Sequence, residues 1–238
     1  MTPDNGKDLQ SAIEIKGLHF AWRRGMDPVL KIERLHVASG ERVFIEGPSG
    51  SGKSTLLSLV AGVVTPQAGT IRVNGHRLSA MNGAARDRFR ADHIGYIYQM
   101  FNLIPYLSVV ENVTLPCRFS KRRRIRAADR AAGFETEAMR LLGKLGMDGS
   151  SVINQPVVEL SVGQQQRVAA ARALIGNPEI IIADEPTSSL DAHHREAFIK
   201  LLFRECDRED TTLVFVSHDT TLAGLFDRTI RLVDINAI

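Results

Sequence analysis

The stretch GPSGSGKST, Gly47 to Thr55, contains residues whose types and spacing suit phosphate chemistry. Gly47, Gly52, Lys53 and Ser54 satisfy G-x-x-x-x-G-K-[ST], with Pro48, Ser49, Gly50 and Ser51 in the intervening positions and Thr55 closing the run. Glycines let consecutive backbone N–H groups turn inward, and the resulting concavity holds phosphate oxygens. Where such a loop opens a helix, the helix start adds its own unpaired N–H groups and partial positive charge. Lys53 is then placed to reach β- and γ-phosphates, and the Ser54 hydroxyl to ligate Mg²⁺. A glycine-rich turn that holds nothing is the bland alternative; the strand before it and the helix after it weigh against that.

Asp184 and Glu185 close the apolar run EIIIADEP. Without polar alternation, that run reads as a strand buried on both faces. Ligands of open α/β sheets lie beyond the carboxyl ends of such strands. There Asp184 suits a Mg²⁺ shell and Glu185 suits polarisation of water. A pair of acids ending a strand is, taken alone, more often a solvated loop or a helix cap. The glycine loop, whose Lys53 lies 131 residues before Asp184, gives the pair meaning as the second half of one site. A second anion-attracting helix start lies in ELSVGQQQRV, where Ser161 and Gln164 fit a capping box around Gly163.

These residues need elements to hold them. Three β-type runs open the chain, AIEIKGLHF, VLKIERLHV and ERVFIEG, with a Ser39–Gly40 turn between the last two. A helical run STLLSLVAGV follows the glycine loop, then a turn at TPQAGT, a strand IRVNG and a strand-like IGYIYQ. From Arg126 to Gly146, Phe134, Ala138, Leu141, Leu142 and Leu145 recur at helical spacing. A helix from Asp191, a buried strand LVFVS, a short helix and a last strand TIRLVDI complete the pattern. Strands alternating with helices around apolar strands predict an α/β core with a parallel sheet. Residues from about 100 to 160 read as a helical insertion.

Bulk properties bound the rest. The 238 residues, 44 % hydrophobic and 24 % charged, describe a soluble globular chain with one sizeable core. Cys117 and Cys206 are far apart and in no metal-like spacing, so they read as packing residues in a reducing compartment. The polar start MTPDNGKDLQ lacks the apolar core of a signal peptide. The most apolar region, Ile94 to Val110, is interrupted by Gln99, Asn102 and Pro105, so no bilayer span is predicted. The expectation is a cytoplasmic protein unless a partner holds it to a membrane. A net charge of +3 is too mild to argue for nucleic acid.

Taken together, GPSGSGKST, Gln99 after IGYIY, ELSVGQQQRVAAARAL, IIIADEPTSSLD and VSHD resemble an ATP-binding cassette (ABC) ATPase. The resemblance runs from about residue 12 to 234 as a single nucleotide-binding domain, with 1–11 as a flexible start. Within the family, FRADHIGYIYQMFNLIPYLSVVENVTLP is most similar to ATPase subunits of lipoprotein-releasing and macrolide-export systems. It implies a P-loop NTPase core with a parallel sheet, an N-terminal antiparallel β subdomain and the helical insertion. The implied cofactors are ATP and Mg²⁺.

The family pairs two copies head to tail around two ATP molecules. By resemblance, Ser161 and Gly163, with Gln164, meet the γ-phosphate of ATP bound to the other copy. The second helix start thus serves the partner's nucleotide, and a capping role for Ser161 stands alongside. Trp22 sits where an aromatic stacks on adenine; the alternative is an exposed strand tryptophan. Gln99 is implied to ligate Mg²⁺ and report the ATP state, Asp191 to couple the sites across the dimer, and His218 to hold the γ-phosphate. A membrane permease subunit is implied to dock near Phe101 to Asn112, placing the chain on the inner face of the cytoplasmic membrane.

Departures from the family pattern are Val162 in place of a glycine, SSLD in place of SALD, and a last strand without the usual Asp-Gly turn. Val162 is β-branched and so must be helical or extended. No C-terminal regulatory domain is expected after that strand. The basic run KRRRIR, Lys121 to Arg126, reads first as a solvated face and second as an attraction to anionic lipid or an acidic permease segment. His193 and His194 point apart on a helix and read as surface. A soluble ABC-type ATPase acting on nucleic acid or ribosomes is the alternative, though no second cassette, coiled coil or zinc motif is seen. A P-loop GTPase is disfavoured because no Asn-Lys-x-Asp motif is present.

Overall fold

In a computed structural model of the chain, residues 11–23, 25–147, 153–188 and 192–238 are described. The strands are β1 (Ser11–Phe20), β2 (Leu30–Ala38), β3 (Arg42–Glu46), β4 (Ala68–Val73), β5 (His76–Arg77), β6 (Ile94–Ile97), β7 (Ile180–Asp184), β8 (Thr212–Val216) and β9 (Arg228–Arg231). They form two sheets. One, in the order β2-β1-β4-β5, is antiparallel throughout. The other, β6-β7-β8-β3-β9, is parallel throughout. Both were legible as the α/β core and the antiparallel subdomain.

The helices are α1 (Lys53–Val60), α2 (Gly83–His93), α3 (Val109–Phe119), α4 (Lys121–Arg130), α5 (Phe134–Lys144), α6 (Val162–Leu174), α7 (Ala192–Asp207) and α8 (Leu232–Ile235). Alternate residues of the parallel strands enter different cores. Phe44, Ile181 and Phe215 join the helices α3, α5, α6 and α7. Val43, Ile45, Ile182, Val214 and Val216 join α1 and the antiparallel sheet. Both faces of β3, β7 and β8 are therefore covered, which is why their sequences are unbroken apolar runs.

Because the sheet is parallel, its strands all end on one edge. From that edge β3 runs into the glycine loop, β6 into Gln99, β7 into Glu185 and β8 into His218. The fold thus gathers four segments that are far apart in sequence.

Three expectations are corrected. The run TIRLVDI is not one strand: β9 ends at Arg231 and α8 follows. That single turn buries Leu232 and swings Asn236 across to the other sheet, where its side chain accepts from Lys31 N–H at 2.8 Å and donates to the Val29 carbonyl at 3.2 Å. The helical stretch from Arg126 is likewise divided, since α4 ends at Arg130 and α5 starts after Gly133, at φ 126°.

The third correction concerns the basic run, which is not a plain solvated face. Arg123 is buried and donates to the carbonyls of Ile175 (2.7 Å), Ala173 (2.6 Å), Arg172 (3.3 Å) and Ile94 (3.4 Å). Burial pulls its pKa down to about 10. Arg122 and Arg126 pair with Glu179, and Arg126 also donates to the Asn177 carbonyl at 2.6 Å. Lys121 and Arg124 remain on the surface. The cations complement the C-terminal end of α6, where carbonyls lack helical partners. Cys117 and Cys206 are both free and buried, as packing residues should be.

Candidate nucleotide site

The phosphate loop begins where β3 stops. Gly50 and Gly52 have φ of 80° and 97°, in the left-handed region that side chains avoid. A Cβ at Gly52 would also meet Leu30 Cδ2 at 2.9 Å, so this turn admits little else. Gly52 is the N-cap of α1 and offers no side-chain cap, which leaves the first N–H groups of the helix turned toward the loop. Lys53, 8 % exposed, donates to the carbonyls of Gly47 at 2.7 Å and Pro48 at 2.9 Å. Its ammonium is thereby folded over the concavity. Ser51 Oγ is buried there without a hydrogen-bond partner among the described residues.

Trp22, Val29, Ser49, Gly50, Gly52, Lys53, Ser54, Thr55, Gln99, Glu185 and His218 line one cleft of about 680 Å³. Trp22 stands at its mouth, 58 % exposed, with its ring edge-on to Phe20 at 5.2 Å. Val29 was missed in the sequence because it precedes β2 and carries no motif. Its adjacency to Leu30, which packs against the glycine loop, is the only hint.

Beside the phosphate loop, Ser54 Oγ donates to Asp184 Oδ1 at 3.3 Å. Burial raises the Asp184 pKa; the neighbouring Glu185 charge adds to the rise, while Ser54 and Lys53 oppose it. A carboxylate in that position gains from an approaching cation. Glu185 holds φ 49°, a left-handed conformation unusual for a residue with a side chain. Its N–H donates to the Val216 carbonyl at 2.9 Å, which ties the strained turn to β8. The side chain is 13 % exposed, and its Oε2 lies 2.5 Å from His218 Nδ1. Strain of this kind persists where the surroundings over-determine it, and it gathers at functional sites.

Ser161, Gly163 and Gln164 do not line this cleft. They stand at the start of α6, where the capping box is present in both directions. Ser161 Oγ accepts from Gln164 N–H at 3.3 Å, and Gln164 Oε1 accepts from Ser161 N–H at 2.9 Å. Val162 is the first helical residue and 50 % exposed, in keeping with the helical conformation required of it. Asp191 lies outside the described residues.

Of the segment from Phe101 to Asn112, only part faces outward. Asn112 is fully buried, donating to the carbonyls of Ile104, Leu107 and Ser108 and accepting from Ile104 N–H at 2.7 Å. Phe101 is buried too, whereas Met100 and Tyr106 are 80 % and 81 % exposed. Tyr96, Tyr98, Pro116 and Phe119 line an adjoining groove of about 510 Å³. No described helix is long and apolar enough to cross a membrane.

Comparison with known proteins gives one consistent result. The sequence profile of the family described as ABC transporter matches residues 30–188. The chain is 40 % identical over 210 residues to the lipoprotein-releasing system ATP-binding protein LolD of Bacteroides fragilis, covering 88 % of this chain and 93 % of that one. It is 37 % identical over 228 residues to the macrolide export ATP-binding/permease protein MacB of Escherichia coli, covering 95 % of this chain and 34 % of that one. Among solved structures, a dimeric post-hydrolysis state of the ATP-binding cassette MJ0796 bound to ADP and Pi superposes with a TM-score of 0.81. The two are 35 % identical, with 92 % of this chain and 93 % of that one covered.

Proposed function

The chain belongs to the ABC transporter family of ATPases, and from that premise we propose that it hydrolyses Mg-ATP in the cleft between Trp22 and His218. The observation that carries the site assignment is the Glu185–His218 pair at the end of the sheet, beside the phosphate loop. Residues 12–234 act as one nucleotide-binding domain. Trp22 stacks on adenine, the loop from Gly47 to Thr55 wraps the phosphates, and Lys53 exchanges its loop carbonyls for phosphate oxygens. Ser54, Gln99 and Asp184 would hold Mg²⁺: hard oxygen donors suit this ion, and the raised Asp184 pKa suits a neighbouring cation. When bound, the ion neutralises charge on the β- and γ-phosphate oxygens.

The reaction adds water to the γ-phosphorus. A new P–O bond forms, the bridging bond to the β-phosphate oxygen breaks, and ADP leaves. Glu185 accepts the proton that water sheds, and His218 holds the Glu185 carboxylate and the γ-phosphate in place. Two copies pair head to tail, so that Ser161, Gly163 and Gln164 of each close over the ATP of the other, with Asp191 at the junction. The capping box keeps those groups preformed at a helix start suited to anions.

The exposed side chains of Met100 and Tyr106, with the groove beside Tyr98, offer a membrane permease subunit a docking surface next to Gln99. Such a partner would hold the chain at the inner face of the cytoplasmic membrane. The deciding test is Glu185→Gln. Its turnover should fall by about 10²- to 10⁴-fold, as for loss of a general base, while ATP binding in calorimetry is retained. Turnover equal to the wild type would remove Glu185 from the role.

A further inference from the structure

Arg172 lies in the last turn of the helix that Ser161 caps. α6 has 13 residues and so spans about 20 Å, with the residue assigned to the partner's ATP at one end. At the other end, the Arg172 guanidinium leaves its own helix. Nη1 donates to the Asn102 carbonyl at 2.6 Å, and Nη2 donates to the Phe101 carbonyl. Both acceptors have left-handed backbones, at φ 47° and 59°. They lie immediately after Gln99 and Met100, in the segment that leaves the nucleotide cleft.

The strand before Gln99 is gripped by the same helix end. Gly95 in β6 lies so close to the Ala173 carbonyl that a Cβ there would overlap it. Arg123 bridges the two, donating to Ile94 O and to the carbonyls of Arg172, Ala173 and Ile175. α6 thus holds the chain on both sides of Gln99, at Ile94 and Gly95 before it and at Phe101 and Asn102 after it. A cation in a last helical turn is favoured by the helix dipole alone. That effect does not require a fork aimed at another segment, nor two non-glycine residues kept in left-handed conformations to receive it.

We propose that Arg172 is a positioning residue that makes Gln99 and Ser161 parts of one body, so that the chain's own nucleotide site and the surface it presents to its partner's ATP move together. The proposal rests on the assignments of Gln99 and Ser161 given above. Arg172 also borders the groove of Tyr98 and Phe119, so a partner docked there presses on the same link.

The test compares Arg172→Gln and Arg172→Lys, each in the wild-type chain and in Glu185→Gln. Calorimetry reads ATP binding, steady-state assays read kcat and KM, and light scattering reads the ATP-dependent dimer. Arg172→Gln should bind ATP as the wild type does, with kcat lowered by roughly 10- to 100-fold, as when a reacting geometry shifts by about 1 Å. In Glu185→Gln it should raise the ATP concentration needed for the dimer. Arg172→Lys, keeping the charge and one carbonyl contact, should restore part of kcat. Wild-type kcat and dimerisation in a folded Arg172→Gln overturn the proposal. A kcat loss matched by an equal loss of ATP affinity does so too, as does failure of both variants to fold, since Arg172 would then serve only the fold. If Glu185→Gln by itself binds ATP but never dimerises, the Ser161 assignment fails before Arg172 is reached.

Discussion

At the residue scale the site depends on conformations that side chains ordinarily avoid. Glu185 is held in its left-handed turn by the bond from its N–H to the Val216 carbonyl, and from there its carboxylate meets His218. A backbone in that region costs on the order of 1–3 kcal/mol, and the neighbouring β8 is what holds it. The backbone hold does not need the imidazole. His218→Ala should therefore melt close to the wild type, since His218 is 65 % exposed at its side chain, yet turn over ATP more slowly. A melting temperature that drops in step with activity would make His218 a structural residue. The phosphate loop was legible from sequence because its spacing is covalent. The Glu185 conformation and the Glu185–His218 contact were not, because a left-handed φ at a glutamate leaves no trace in composition. Val29 had no signal beyond its neighbour.

At the element scale the basic run shows where charge patterns mislead. KRRRIR gives the same sequence whether it faces water or caps a helix. The decision rests on where α4 packs, against the C-terminal end of α6 and the Ile94 carbonyl. Arg123→Met keeps volume but strips donors from buried carbonyls, each worth on the order of 1–3 kcal/mol when left unpaired. It should lower the denaturation midpoint clearly more than Arg124→Met on the exposed side of α4; equal effects would contradict the clamp. Glu179 completes this corner. Burial alone would raise its carboxyl, but hydrogen bonds from His93 and Arg122 and the charge of Arg126 hold its pKa down at about 2. A depressed carboxylate stabilises the fold fully above its ordinary value of 4.5 and loses that contribution as pH falls toward about 2. Glu179→Gln should accordingly be less stable at neutral pH and show a flatter decline below pH 4.5, measured by denaturant melts. A decline as steep as the wild type's would place the acid sensitivity elsewhere. The broken helix after Arg126 has a similar lesson, since Gly133 interrupts a spacing that periodicity alone reads through.

At the scale of the whole molecule, the parallel sheet explains why motifs scattered from the glycine loop to His218 meet in one cleft, to which the turn after β1 of the antiparallel sheet adds Trp22. The alternation of strand and helix made that architecture readable. Ser161 stands apart from the cleft, as the proposed service to a second copy requires. That service is tested most directly by mixing two inactive variants, Lys53→Ala and Ser161→Arg, and measuring ATP hydrolysis while tracking mixed dimers. Head-to-tail pairing joins the intact phosphate loop of the Ser161→Arg chain to the intact Ser161 of the Lys53→Ala chain. Activity absent from either variant alone should return on mixing. If mixed dimers form and hydrolysis stays absent at every ratio, Ser161 does not act on the partner's nucleotide.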